Sequence, residues 1–265
     1  MTTATALDDP RVRVAMYRSA IYEALALGFT YPEAEVRDRL VVLVEDMLDF
    51  EVDVDPEMRD RARALLTALQ ATDLVNQAIE YNRLFDQSAL CSPFETEYEA
   101  DPFAKARQLA DISGFYHAFG MDASRDRPTM NDYIGSELEF MTLLTRSEAY
   151  ATARHWTRRR EVTLDAERGF LRDHLGRWER TLAADVERVL ADDHDATAHF
   201  FRLLAALLER FVEGELRMFH VKPLRLKQRM TSDREPMACP LAPDVPEAER
   251  GSLALGDAEA LLADE

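Results

Sequence analysis

An all-α fold, arranged as a single-domain helical bundle, is what this sequence predicts. Three observations carry the prediction. Apolar residues recur at the spacing of a helix face through nearly every segment from residue 10 to 219. Asp9-Pro10, Asp55-Pro56 and Asp101-Pro102 each place a side-chain acceptor directly before a proline suited to a first helical position. No stretch alternates apolar and polar residues for long enough to make a strand.

The elements follow in order. Behind Asp9-Pro10, Val14, Tyr17, Ile21, Leu25 and Phe29 mark a helix ending near Gly28. Pro32 opens a second, with Val36, Leu40, Val44 and Leu48 on one face. Asp55-Pro56 starts a third, carrying Leu65, Leu66 and Leu69. A fourth runs from Asp73 through Ile79 to Phe85. Residues 86–100 hold Pro93, several acids and no periodicity, and read as a loop. Asp101-Pro102 begins a helix through Leu109, Ile112, Tyr116 and Phe119, with Gly120 suited to end it. A polar loop over 122–131 leads to a helix that Asp132 is placed to cap, with Ile134, Leu138, Met141 and Leu144 on its apolar face. Residues 154–160 read as a basic hinge. Two helices span 164–190, and a last long one spans 195–219 with Phe200, Leu204, Leu207, Phe211 and Leu216 aligned.

Two units are expected: a helical domain over residues 1–222 and a proline-punctuated acidic tail over 223–265, loosely attached. Hydrophobic residues make up 47% of the 265 residues, enough for a substantial core. The formal net charge of -18 argues against nucleic acid, whose phosphates need a basic face. Lysine occurs only at Lys105, Lys222 and Lys227. An acidic, lysine-poor chain fits a halophilic solubility adaptation to a salty cytoplasm. The first ten residues lack a basic region followed by an apolar one, and no apolar run reaches membrane-spanning length, so a cytoplasmic location is expected. Cys91 and Cys239 are far apart and read as two thiols rather than a disulfide.

Catalytic patterns are missing from the sequence. There is no glycine-rich phosphate loop and no Gly-x-Ser-x-Gly elbow. None of the six histidines forms a His-x-x-x-His or Glu-x-x-His pair, so a di-iron bundle is not indicated. His174, beside Leu175 and Trp178, reads as a core or interface residue. Binding rather than chemistry is the reading; a helical enzyme or small-molecule-binding protein stands as the alternative.

Certain short stretches carry more. Tyr81-Asn82-Arg83-Leu84-Phe85 is followed by Cys91-Ser92-Pro93-Phe94-Glu95-Thr96-Glu97-Tyr98. Leu109 to Tyr116 and Phe119-Gly120 come next, and then Asp132-Tyr133-Ile134-Gly135-Ser136-Glu137-Leu138-Glu139-Phe140-Met141. This last segment resembles the Asp-His-(Ile/Leu)-x-x-Glu-Leu-x-Phe-Met signature of the TorD/DmsD/NarJ family of redox-enzyme maturation chaperones. The first resembles that family's Tyr-x-x-Leu-Phe element. The cysteine loop resembles Cys-Pro-Pro-Tyr-Glu-(Ser/Thr)-x-Tyr of the branch serving type II dimethyl-sulfoxide-reductase-like enzymes. Two departures stand out: Tyr133 replaces the usual His, and Pro128 lies further from Asp132 than the family's proline does.

The resemblance implies a TorD-like all-α chaperone, not an enzyme, with no cofactor or metal of its own. Its partner would be the catalytic subunit of a molybdopterin-dependent oxidoreductase of anaerobic respiration, bound through a twin-arginine leader or N-terminus while cofactor is inserted. A monomer or a helix-exchanged dimer would fit. The residues it points to for client binding are Tyr81, Glu95, Tyr98, Asp132, Tyr133 and Glu137. Other roles stay open for each. Asp132 serves equally as a helix cap, the tyrosines as seals on a core edge, and Glu95, Glu97, Glu137 and Glu139 as a solvated rim. Leu84, Phe85, Leu138, Phe140 and Met141 are expected in the core on any reading.

Overall fold

The computed structural model describes residues 9–50, 56–86, 89–121, 130–223 and 226. Nine α-helices occur among them: α1 (Pro10–Gly28), α2 (Ala34–Asp49), α3 (Pro56–Ala71), α4 (Leu74–Phe85), α5 (Pro102–Ala118), α6 (Ile134–Ala153), α7 (Thr157–Asp173), α8 (Leu175–Val189) and α9 (Ala196–Met218). Among the described residues there is no strand, only an isolated antiparallel bridge between Phe94 and Tyr133. The fold is all-α, as the sequence predicts.

Local chemistry sets most helix starts. The Asp9 carboxylate accepts from the Arg11 N–H, Asp73 from Asn76, Asp101 from Phe103, and Asp195 from both Thr197 and Ala198. Each satisfies N–H groups that a first helical turn otherwise leaves unpaired. Gly120 closes α5 with φ +72°, a conformation open to glycine at little cost. Asp55, the expected cap of α3, lies outside the described residues, as do residues 122–129 and Cys239.

Two boundaries differ from expectation. The basic stretch 154–160 is not a hinge. Its turn is confined to Arg154, His155 and Trp156, with His155 at φ 57°, and Arg158–Arg160 already belong to α7. Of the expected loop over 86–100, residues 89–100 are not open either. They contain a 3-10 turn, Glu95–Tyr98, and bury Cys91, Pro93, Glu95, Thr96 and Tyr98.

Helix α1 packs along α6 in the most extensive helix pairing, while α9 packs against α3 and α8. Between them lies one large core that includes the expected Leu84, Phe85, Leu138, Phe140 and Met141. An aromatic group holds its middle. Phe140 and Phe170 stand 4.8 Å apart at a tilt of 65°, with Tyr116 4.9 Å from Phe140, close to the favoured edge-to-face arrangement.

A second centre is ionic. Arg18 of α1 is only 5% exposed. Its Nε and Nη2 donate to Glu215 of α9 at 2.8 and 2.6 Å, Nη1 donates to Glu148 of α6 at 2.7 Å, and Nη2 also meets Glu167 of α7. Arg160 reaches the other oxygen of Glu148 at 3.2 Å, and the Tyr22 hydroxyl donates to Glu215 at 2.9 Å. Two guanidinium groups thus face three carboxyl groups. Burial, with help from the neighbouring charges of Glu148 and Glu215, raises Glu167 to about 7 against the pull of Arg18. Breaking one partner out of such a buried set costs roughly 3–5 kcal/mol, because charge is left unpaired.

The described residues all fall within the compact unit Met1–Gln228. Of the expected tail over 223–265, Pro223 and Leu226 are described; the Leu226 N–H donates to the Arg177 carbonyl at 3.0 Å, and its side chain packs on the core.

Candidate functional site

The two motif segments meet at one junction. The Ile134 N–H donates to the Pro93 carbonyl and the Glu95 N–H to the Asp132 carbonyl, both at 2.9 Å. These bonds form the Phe94–Tyr133 bridge and fasten the 3-10 turn to the start of α6. Side chains reinforce it. Asp132 is 1% exposed, and its Oδ2 accepts from the Thr96 N–H at 3.2 Å and from the Thr96 hydroxyl at 2.6 Å. Asp132 therefore does not cap α6. The residue before that helix is Tyr133, whose side chain makes no capping bond. The carboxylate that local sequence assigns to its own helix instead orders the turn 36 positions away.

Tyr133 folds back over its own helix start. Its Cε1 lies where a Cβ on Gly135 would come within 2.5 Å, so this position needs glycine. The Tyr133 hydroxyl shares a 2.8 Å hydrogen bond with Tyr81 and also donates to the Phe29 carbonyl. Tyr81 in turn packs edge-on against Tyr31, with 5.5 Å between ring centres. Tyr81 and Tyr133 are half-buried, whereas Tyr31 and Met130 are exposed.

Beneath this edge lies a buried acid pair. Glu95 and Glu137 are both fully buried, which overturns the solvated-rim expectation for those two; Glu139 is exposed and Glu97 half-exposed. Burial, together with the adjacent Glu95 and Asp132 charges, holds the Glu137 carboxyl well above the usual range, while the Trp178 indole, donating at 3.2 Å, opposes the rise. Glu95 Oε2 faces His174 Nδ1 at 3.1 Å, and His174 Nε2 faces Asp111 at 3.2 Å. Tyr98 packs 5.4 Å from Trp178 and donates to the Ser92 carbonyl at 2.9 Å.

All six sequence-predicted residues thus gather at the junction. Only Tyr81 and Tyr133 reach its surface; Glu95, Tyr98, Asp132 and Glu137 form its interior. The arrangement is that of a braced scaffold. Cys91 belongs to it too: its thiol is buried, and that burial pushes it up to about 12, so it is an unreactive packing group. Among the described residues no group of three His, Cys, Asp or Glu is arranged to hold a metal ion, and no helix is long and apolar enough to cross a membrane.

A family model described as nitrate reductase delta subunit matches residues 51–184, just over half of the chain, including both motif segments that meet at this junction. The chain belongs to that family. The family is the one the motifs point to, and the residues carrying them are those that build the junction. The chain is also 25% identical over 226 residues to the perchlorate reductase assembly chaperone protein of Dechloromonas aromatica, covering 78% of this chain and 91% of that one. A solved structure from Archaeoglobus fulgidus, provisionally assigned to redox enzyme maturation, covers 72% of this chain and 93% of its own at 18% identity with a TM-score of 0.46.

Sequence reasoning missed two surfaces. One is an apolar groove of about 660 Å³ between the end of α6 and the start of α7, where Tyr150, Trp156 and Val162 are exposed and Arg159 stacks 4.2 Å over Trp156. A tryptophan inside a run of arginines was its signal. The other is a polar cavity of about 770 Å³ beside His174. Its lining is spread over residues 99–222, so no local pattern announces it.

Proposed function

We propose that the chain is a cytoplasmic assembly chaperone. It would bind the leader or N-terminus of a molybdopterin oxidoreductase catalytic subunit while cofactor is inserted and before export. The observation that carries this reading is the match, along most of both chains, to a protein named as an assembly chaperone. The junction supports it, because its acids are spent on internal bonds that hold a surface rather than on converting a substrate. The motif segments further favour the branch serving type II dimethyl-sulfoxide-reductase-like enzymes.

The client contact is best placed at the edge of the junction. Tyr81 and Tyr133 would meet the leader there, with Tyr31 and Met130 extending the apolar area and exposed Glu139 available to an arginine. Glu95, Tyr98, Asp132 and Glu137 would act from beneath, by fixing that edge. At about 1 M salt the Debye length is roughly 3 Å, so long-range attraction to a basic leader is lost. Each large apolar leader residue buried supplies roughly 1.5–3 kcal/mol. Three or four such residues reach the roughly 8 kcal/mol of micromolar binding after ordering costs.

Titration with a synthetic twin-arginine leader peptide at high salt tests the reading. Tyr133→Ala and Glu139→Gln should each weaken binding, while Trp156→Ala in the distant groove should not. Unchanged affinity in both junction variants would move the client site elsewhere. No binding by the unaltered protein would remove the leader from the proposal.

A further inference from the structure

Helix α6 closes without a glycine. The His155 N–H donates to the Thr152 carbonyl at 3.0 Å and the Trp156 N–H to the Ala151 carbonyl at 2.9 Å, with His155 at φ 57°. Glycine makes this closing turn at least cost, and histidine pays more for it. The turn sets Trp156 against Tyr150, with ring centres 5.5 Å apart at 81°. Both rings stay open to solvent, Trp156 by 39% and Tyr150 by 53%, and with Val162 they line the groove of about 660 Å³. Its size is that of a binding pocket.

Charge sets this groove apart from the rest of the chain. Acids outnumber bases 50 to 32 in the sequence, yet among the described residues three arginines line the groove and no Asp or Glu does. Arg146 is paired with Glu23. Arg158 and Arg159 meet no carboxylate among the described residues, and neither does Arg154 beside Tyr150. Glu161 of α7 is exposed and pairs with none of them. Two of these guanidinium groups are stacked: the Arg159 Cζ lies 4.2 Å over Trp156, and the Arg154 Cζ 5.3 Å over Tyr150. Stacking uses the face of a guanidinium and leaves its in-plane N–H groups to meet a carboxylate.

We propose that the groove is a docking site for an acidic segment of another protein, which lays a large apolar side chain against Trp156 and Val162 and sets carboxylates on Arg158 and Arg159. A basic leader is repelled here, so this surface is separate from the client edge and does not rest on the chaperone reading. A second copy, placed symmetrically on the same face, would oppose arginine to arginine. A nucleic acid or an anionic membrane would bring an extended negative surface against a chain of net charge -18, whereas a short acidic segment meets the groove alone.

Selection of short random peptides on the full chain tests the proposal, run in parallel on Trp156→Ala and on Arg158→Gln with Arg159→Gln. The unaltered protein should enrich sequences with Asp or Glu on both sides of a large apolar residue. The best of them, titrated calorimetrically, should bind each variant about tenfold or more weakly. Arg158→Glu with Arg159→Glu should invert the preference and select basic flanks, which a merely structural role would not do. Both arginines are exposed and pair with no carboxylate, so the glutamine variant should melt with the unaltered protein and a folding defect will not mask the result. No acidic set, or one that binds the variants undiminished, overturns the proposal. So does a dimer in sedimentation velocity that Trp156→Ala dissolves, which gives the groove to a second copy. Binding to vesicles of anionic phospholipid that Trp156→Ala abolishes, with no acidic peptide selected, gives it to a membrane and overturns the proposal too.

Discussion

Asp132 and Thr96 form a two-point clasp: one carboxylate oxygen accepts from both the backbone N–H and the hydroxyl of a single threonine, in a site that is 1% exposed at Asp132. Bonds to a charged acceptor are worth roughly 1.5–3 kcal/mol each. Asp132→Ala should therefore lower stability by about 2–3 kcal/mol in denaturant titrations. Asp132→Asn keeps an acceptor and should lose about half as much. Thr96→Val should cost less when Asp132 is already alanine, and a double-mutant cycle should give a coupling above about 0.5 kcal/mol. Simple additivity would mean the clasp contributes nothing.

Tyr133 and Gly135 make a steric pair. A Cβ on Gly135 would come within 2.5 Å of the tyrosine ring. Gly135→Ala should destabilise by about 1–3 kcal/mol, despite a helix-propensity gain of about 1 kcal/mol. In a Tyr133→Ala background the same change should turn neutral or stabilising. Thermal melts of the four proteins decide it. Loss of stability in both backgrounds would place the clash elsewhere.

Glu167 should impose a pH dependence. Its folded value of about 7 lies above the ordinary 4.5, so folding favours its protonated form. Its contribution is fully present below about pH 4.5 and is lost as pH rises through about 7. The size of this effect is roughly 3 kcal/mol. Glu167→Gln retains an acceptor for Arg18 but cannot ionise. Its stability should fall less than that of the unaltered protein between pH 5 and 8. Parallel profiles would show that Glu167 does not titrate in this window.

Where structure depends on neighbours in sequence, it was legible. Asp9, Asp73, Asp101 and Asp195 each cap the helix that begins beside them. Asp132 has the same local setting and a different task, because Thr96 outcompetes its own helix and lies far along the chain. Glu95 and Glu137 show the same limit. In an acid-rich chain nothing marks which carboxylates are buried, and only their distant neighbours Trp178 and His174 explain it. Arg18 did leave a trace. It falls on the buried side of α1 with Tyr22 and Leu25, where a charge needs a partner. Its partners Glu148, Glu167 and Glu215 sit on three later helices.

That spread along the chain has a consequence for synthesis. Arg18 belongs to α1 and Glu215 to α9, 197 residues later. A growing chain makes the guanidinium early and its two-point acceptor Glu215 only when α9 is made. Until α9 arrives, Arg18 can pair with Glu148 of α6 and Glu167 of α7, but its Nε–H lacks the acceptor it has in the finished bundle. A chain truncated before Glu215 would keep two of the Arg18 ion pairs but leave the Arg18 Nε–H and the Tyr22 hydroxyl without their common acceptor.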